Sequence, residues 1–279
     1  MQSRRTSSVV PSSGEVMEGW ENLKVALVCI AKDEDRYIDE WVRWHMAIGF
    51  DKVFVYANDW RIGREIENVV EIPFDGQARQ MEAYTDWLTN RSDGFDWAAF
   101  FDVDEFLNTH GKHVGWILSE QSTYPAVGVN WRIFGDSGLT EDDGSCSVLS
   151  RFTKCGSKLH PLVKSIVNLN VYPKPIRFSC NPHIPDSGVL DLNGKFSGNA
   201  NTEPVVDPTM ELNHYFCKTW PEFANTKMKR GRADCVADGS DDHVMRTRQD
   251  FDRLNFNEVE NKEVAELSRA YFQLKAFSK

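Results

Sequence analysis

The chain has 279 residues, 41% hydrophobic and 27% charged, with nine Trp and seventeen Phe. That supply of large rings excludes a disordered chain, a coiled coil or a low-complexity scaffold and predicts one large buried core or two modest ones. Thirty-two Lys and Arg stand against 42 Asp and Glu, a formal net charge of -10, which argues against nucleic acid as a partner while leaving room for a local basic patch.

Residues 1–19 are Ser-rich and aperiodic, and read as a mobile tail without the apolar core of a signal peptide. One folded domain is expected over 20–279. Val25 to Ala31 is a continuous apolar run of strand length, followed by a charged loop at Lys32 to Arg36. Tyr37, Ile38, Trp41, Val42, His45, Met46 and Ile48 then recur at helical steps, and Gly49 is a natural stop. Strands at Val53 to Ala57 and Val69 to Ile72, a helix over Ala78 to Leu88 and a strand at Trp97 to Phe101 continue the alternation. This is the pattern of an α/β fold with a mostly parallel central sheet flanked by helices, in which ligands bind at the carboxyl ends of the strands.

Further along, the pattern predicts a short helix at Val114 to Gln121 and a strand at Ala126 to Phe134, then strand and loop broken by Pro173, Pro175, Pro182 and Pro185 as far as Leu192. Thr219, Pro221 and Glu222 form a capping box, which starts a helix from Trp220 to about Arg230. Glu260 to Phe277 reads as a terminal amphipathic helix with Val264, Leu267, Tyr271 and Leu274 on one stripe. The domain is expected to divide into a half over about 20–110, a half over about 111–235 and C-terminal helices over about 245–279. The cysteines, Cys29, Cys146, Cys155, Cys180, Cys217 and Cys235, have no zinc spacing, and Cys29 and Cys217 lie in apolar runs that suit a reduced compartment. No stretch approaches the ~20 apolar residues of a membrane span. A cytoplasmic chain is expected, or one peripheral at the cytosolic face of a membrane.

The sharpest local signal is WAAFFDVDEF, Trp97 to Phe106. An apolar strand delivers Asp102, Asp104 and Glu105 at its end, and strand geometry across Val103 would point Asp102 and Asp104 to one side. Two such carboxylates repel unless a cation lies between them, and hard oxygen ligands suit Mg²⁺ or Mn²⁺, which leave coordination positions for substrate phosphates. The alternative is one aspartate capping the turn and one in solvent. Lys218, Lys227, Lys229, Arg230 and Arg232 make the strongest basic cluster of an acidic chain, which suits either a solvated helix face or the neutralisation of a diphosphate.

The blocks AKDEDRYIDEWVRWHMAIGFDKVFVYAND, QMEAYTDWL, AAFFDVDEFL, VGVNWRIFGDSG and ELNHYFCKTWPEFANTKMKRGRAD together resemble glycosyltransferase family 92 and the family 2-like group of GT-A fold glycosyltransferases, from about Val25 to Asp234. The resemblance implies a metal-dependent, inverting transfer of a sugar from a nucleotide-diphosphate sugar to a hydroxyl of a glycan or glycoconjugate acceptor. A UDP-sugar is the favoured donor, with galactose or another hexose, or rhamnose, as the sugar. It further implies that Asp102 and Asp104 hold the metal and the donor ribose, with Glu105 as a supporting carboxylate, Val103 between them and His214 as a further ligand to Mn²⁺ or Mg²⁺. The nucleotide is expected over Ala31, Lys32, Glu34, Asn58 and Asp59, with Gln80 and Tyr84 facing it and Lys218, Lys227 and Arg230 on the diphosphate.

The family motifs are not all present. The family commonly reads Lys-Asn-Glu where this chain has Lys32, Asp33 and Glu34, and Phe-Gly-Ser-Ser-Gly where it has Phe134 to Gly138 with Asp136. Asp136, in a Gly-flanked turn after the strand carrying Trp131 and Arg132, is the expected general base or else a simple turn former. Trp131 and Arg132 are the expected acceptor contacts, Trp131 by stacking on a sugar face. His183, between Pro182 and Ile184, is a second candidate active-site histidine. A catalytically inactive nucleotide- or glycan-binding module is the rival reading, and a nucleotidyltransferase is disfavoured by the lack of a Gly-rich phosphate loop.

Overall fold

The computed structural model describes residues 19–232 and 245–277, with side chains described as far as 273 in the last helix. Apart from Gly19, the expected tail lies outside these residues, as do Cys235 and the side chain of Leu274. A single 3-10 turn, Trp20–Asn22, precedes β1 (Val25–Ala31), α1 (Ile38–Ala47), β2 (Lys52–Ala57), β3 (Val69–Pro73), α2 (Gln80–Asn90) and β4 (Trp97–Phe100). Next come β5 (Glu105–Asn108), α3 (Val114–Ser119), β6 (Ala126–Ile133), β7 (Lys154–Cys155), β8 (His160–Asn168), β9 (Val189–Leu190), β10 (Phe196–Ser197) and β11 (Glu211–His214). The chain continues through α4 (Trp220–Asn225), α5 (Lys227–Arg230), α6 (Arg248–Leu254), β12 (Val259–Glu260) and α7 (Glu263–Phe277).

The fold is α/β, as the alternation predicts. Its sheet runs β10-β9-β6-β8-β4-β1-β2-β3. The β4-β1-β2-β3 half is parallel throughout. β8 runs antiparallel between β4 and β6, and β11 joins the far end of β6 in parallel and pairs β5 antiparallel. β1 lies inside this sheet and is buried along its whole length, which is why it reads as an unbroken apolar run rather than an alternation. Successive side chains leave a strand on opposite faces. Val25, Leu27 and Cys29 therefore join one core with Trp41 and Trp44 of α1, while Ala26, Val28 and Ile30 join another with Tyr84 and Trp87 of α2.

Local signals set several element ends. Gly49 ends α1 with φ 108, and a Cβ there would lie 2.2 Å from the His113 ring, so glycine is required both for the backbone angle and for space. The capping box at Thr219 and Glu222 is present. The helix expected from Trp220 to Arg230 is instead split at Thr226, whose φ -113 and ψ -80 leave the helical region. The Thr226 hydroxyl donates to the Glu222 carbonyl at 2.7 Å, a back-bond that bends helices, and α5 starts afresh at Lys227. Residues 259–260 pair with β7 instead of opening the last helix, which begins at Glu263.

Candidate functional site

β4 ends at Phe100, and the residues after it form a turn that closes when the Glu105 N–H donates to the Asp102 carbonyl at 3.0 Å. Extended geometry therefore does not persist across Val103, a correction to the expectation that a strand aligns the two aspartates. The turn does so instead: Asp102, Val103 and Asp104 all line one cavity of about 580 Å³, a size suited to a small molecule or cofactor. The loops after β1 and β2 reach the same cavity with Ala31, Lys32, Glu34, Asn58 and Asp59. Gln80 comes from the start of α2, Trp131 from β6, His160 and Lys164 from β8, His214 from β11, and Lys227 and Arg230 from α5. The crevice lies where a parallel sheet places ligands, at the carboxyl ends of its strands.

Acid and base are paired throughout. Asp102 accepts from Gln80 Nε2 through Oδ1 and from Lys164 Nζ through Oδ2, both at 2.9 Å. Asp104 Oδ2 accepts from the Lys227 ammonium and lies 3.5 Å from His214 Nε2. Arg230 reaches Glu34 Oε1 at 2.6 Å, and Lys32 reaches Asp59 Oδ2 at 3.2 Å. Burial alone would raise the pKa of Asp104, but the charge of Lys227, aided by His214 and Lys218, holds it well below the usual carboxylate range. Glu105, fully buried behind the pair, is pushed well up by burial and further by Asp102 and Asp104, against the pull of Lys164. The Lys164 ammonium is itself completely buried; burial would lower its pKa, yet the Asp102 and Glu105 carboxylates raise it. Burial lowers the pKa of His214 despite the opposing charge of Asp104.

Among the described residues no group of three or more His, Cys, Asp or Glu is gathered to hold a metal ion. What the site does offer is one carboxylate oxygen and one imidazole nitrogen facing each other, Asp104 Oδ2 and His214 Nε2. That set fits a hard divalent cation that draws its remaining ligands from phosphate and water. Each oxygen of Asp102 accepts one hydrogen bond, from Gln80 and from Lys164, as Asp104 Oδ2 does from Lys227.

Other expected residues sit elsewhere. Tyr84 is fully buried against Phe100 and Phe178, and its hydroxyl accepts from Gln80 at 2.9 Å; it supports Gln80 without lining the cavity. The Lys218 ammonium lies 4.4 Å over the Tyr37 ring, outside the cavity lining. Arg132 points to the opposite face of β6 from Trp131, as neighbours on a strand must. It forms a two-pronged pair with Glu211, with both bonds at 2.7 Å. Asp136 is also outside the lining: its oxygens accept from Asn255 at 2.8 Å, Asn257 at 3.0 Å and the Gly138 N–H at 2.8 Å, so it ties a turn to the segment after α6. Trp131 does line the cavity but is only 7% exposed, too covered to be a stacking platform. His214, His183 and His160 stand around its ring at 4.3, 5.3 and 6.1 Å between centroids.

No family model matches the sequence. A glycosyltransferase family 92 protein of Oryza sativa subsp. japonica is 25% identical over 281 residues, which cover 92% of this chain and 45% of that protein. A family 92 protein of Ricinus communis is 25% identical over 232 residues, covering 74% of this chain and 37% of that protein, and in a shorter alignment 24% identical over 139 residues. The chain resembles glycosyltransferase family 92 along nearly its whole length. It spans less than half the length of these curated relatives. Among solved structures, S. aureus TarS 1-349 is similar with a TM-score of 0.33 and 12% identity, over 56% of this chain and 52% of that one.

The acidic motif at the strand end and the basic cluster bring Asp102, Asp104, Lys227 and Arg230 to attention in the sequence, but nothing there reveals Lys164, which no expectation named. Its one trace in the sequence is a lysine inside the apolar run LVKSIV, and a lysine in such a run is equally at home on an exposed strand face. Among the described residues no helix is long and apolar enough to cross a membrane. Cys29, Cys155 and Cys217 are buried free thiols, and Cys146 and Cys180 are exposed free thiols.

Proposed function

We propose that the protein is a glycosyltransferase that moves a sugar, with inversion, from a nucleotide-diphosphate sugar to a hydroxyl of a glycan acceptor. A UDP-sugar is the first candidate donor. The observation that carries this reading is the meeting of Asp102 and Asp104 with Lys227 and Arg230 in one cavity at the strand ends, in a chain similar to family 92 glycosyltransferases. The nucleoside would lie over the loops after β1 and β2, the second of which is tied to the loop after β3 by Asn58 Nδ2 donating to the Phe74 and Gly76 carbonyls at 2.9 and 2.7 Å.

Asp104 Oδ2 and His214 Nε2 are the groups that would hold Mn²⁺ or Mg²⁺. The cation supplies charge neutralisation for the departing diphosphate. Lys227 and Arg230 add fixed positive charge on the same side, in a half-dry cavity where it counts for more than in water. Asp102, held by Lys164 and Gln80, is oriented to accept from a ribose hydroxyl.

The test is nucleotide release from a panel of UDP- and GDP-sugars with Mn²⁺, followed with and without added mono- and disaccharide acceptors. Wild-type protein is expected to release UDP from at least one donor, and Asp104→Asn to lose at least ten-fold in Mn²⁺-dependent UDP affinity, about 1.4 kcal/mol. Saturable UDP binding without release from any donor would instead identify a binding module.

A further inference from the structure

We infer that Lys227 is a tethered competitor for the divalent cation, which therefore binds together with the nucleotide and only poorly without it. The inference rests on the cation site of the reading above and adds a control on that site. The Lys227 ammonium donates to Asp104 Oδ2, and the same oxygen lies 3.5 Å from His214 Nε2. These are the two groups that would hold the cation. In the nucleotide-free protein a positive charge of the chain itself already stands on one of them.

Burial makes this contact more than a surface ion pair. The Asp104 side chain keeps 5% of its exposure and the Lys227 side chain 13%, and a carboxylate so covered needs a positive charge beside it. Lys227 supplies that charge. Its ammonium also lies 4.2 Å over the ring of Phe216, a residue of the cavity wall, which adds a cation–π attraction to the same resting place. Arg230, one turn further along α5, is engaged differently, with Glu34 Oε1 at 2.6 Å. The two cations of this short helix thus divide the work: Arg230 is held by a carboxylate with no assigned ligand role, and Lys227 by the one that would bind metal.

The consequence is a linkage between two ligands. To admit a cation that arrives alone, Lys227 has to leave Asp104, and its ammonium is then close to a doubly charged ion in a cavity where like charges repel more than in water. A nucleoside diphosphate reverses this balance. Its phosphate oxygens accept from the displaced ammonium and fill positions that a hard cation leaves open. Nucleotide and cation then raise each other's affinity by one common factor.

Mn²⁺ binding is read by calorimetry, with and without saturating UDP, on wild type, Lys227→Met, Lys227→Gln and Arg230→Met, each checked as folded by Trp fluorescence. Without UDP, both Lys227 variants are expected to bind Mn²⁺ roughly ten-fold more tightly than wild type, and Arg230→Met to stay within about three-fold of it. UDP should tighten Mn²⁺ binding to wild type by a factor roughly ten-fold larger than the one it produces in Lys227→Met. Unchanged or weaker Mn²⁺ binding by both Lys227 variants overturns the inference and leaves the transferase reading standing. Equal tightening in Arg230→Met shows a general charge effect and overturns it as well. A wild-type Mn²⁺ affinity that UDP does not raise overturns it with no variant needed, and so decides the matter even where a variant fails to fold. If wild type binds no Mn²⁺ with or without UDP, the cation site falls and the inference with it, while nucleotide release from the donor panel still decides the transferase reading.

Discussion

Replacing Lys164 by Met tests whether the aspartate turn is held in place by a buried charge. The ammonium is fully buried, 2.9 Å from Asp102 Oδ2 and 3.8 Å from Glu105 Oε2. At an effective dielectric constant near 20 the nearer contact amounts to about 6 kcal/mol of Coulomb attraction, offset by several kcal/mol of desolvation per ion. Removing one partner of a buried pair costs about 3–5 kcal/mol, and the Asp102 side chain keeps 36% of its exposure to water, so the lower end, about 3 kcal/mol, is expected for Lys164→Met. Asp102→Asn should cost a similar amount, because it leaves the ammonium buried beside a Glu105 whose own burial favours the neutral form. The double variant, with neither charge, should recover about 2 kcal/mol relative to the sum of the single changes. Urea unfolding followed by Trp fluorescence reads all four proteins, compared by midpoint at constant slope. A loss under about 1 kcal/mol for Lys164→Met, or a coupling under about 0.5 kcal/mol, would refute the claim that this lysine is the structural counter-ion of the motif.

Three further predictions concern stability and the residues excluded from the cavity. His45 is fully buried, with Nδ1 donating to the Trp41 carbonyl at 2.8 Å and Nε2 accepting the Leu107 N–H at 3.2 Å, and burial takes its pKa down to about 3. The unfolded chain takes up this proton below about pH 6.5 and the folded chain does not, so the associated stability is complete above that pH and about 2 kcal/mol of it is lost by about pH 5; a urea midpoint that stays flat over this interval contradicts the assignment. Arg132→Met should destabilise the fold by about 3 kcal/mol, because it strands the buried Glu211 carboxylate, and leave UDP affinity unchanged; weaker calorimetric UDP binding by a folded variant would return Arg132 to the site. Asp136→Ala should cost about 1–2 kcal/mol through its lost hydrogen bonds and leave the rate of nucleotide release within about two-fold of wild type, whereas a hundred-fold slower rate at normal UDP affinity would restore it as the base.

Local order was legible in the sequence to the extent that it depends on near neighbours. The unbroken apolar run of β1 announces a strand covered on both faces, the Thr219 and Glu222 pair closes its own capping box, and Gly49 ends a helix because it takes a φ of 108 that other residues avoid. The acidic cluster after β4 was visible for the same reason, since an apolar strand followed at once by carboxylates reads as a buried element emerging at a polar edge, although the sequence did not show that a turn and not a strand aligns them. These features need no knowledge of what lies across the sheet.

Tertiary structure decided which distant side chains meet. β8 pairs β4 so that Ala99 faces Ile166, and this register brings Lys164 to Asp102, across 62 residues of chain; a slip of one residue would turn that lysine to the other face of the sheet. The same alternation sends Trp131 into the cavity and Arg132 away from it, a choice that adjacent letters in a sequence do not reveal. Asp136 could be read from the sequence as a base or as a turn former, because its partners, Asn255 and Asn257, come from more than a hundred positions away. Propensity, capping and turn chemistry act over a few residues and so belong to the sequence alone, whereas a charge is known to be a counter-ion, a ligand or a base only once strand register and packing have set its neighbours.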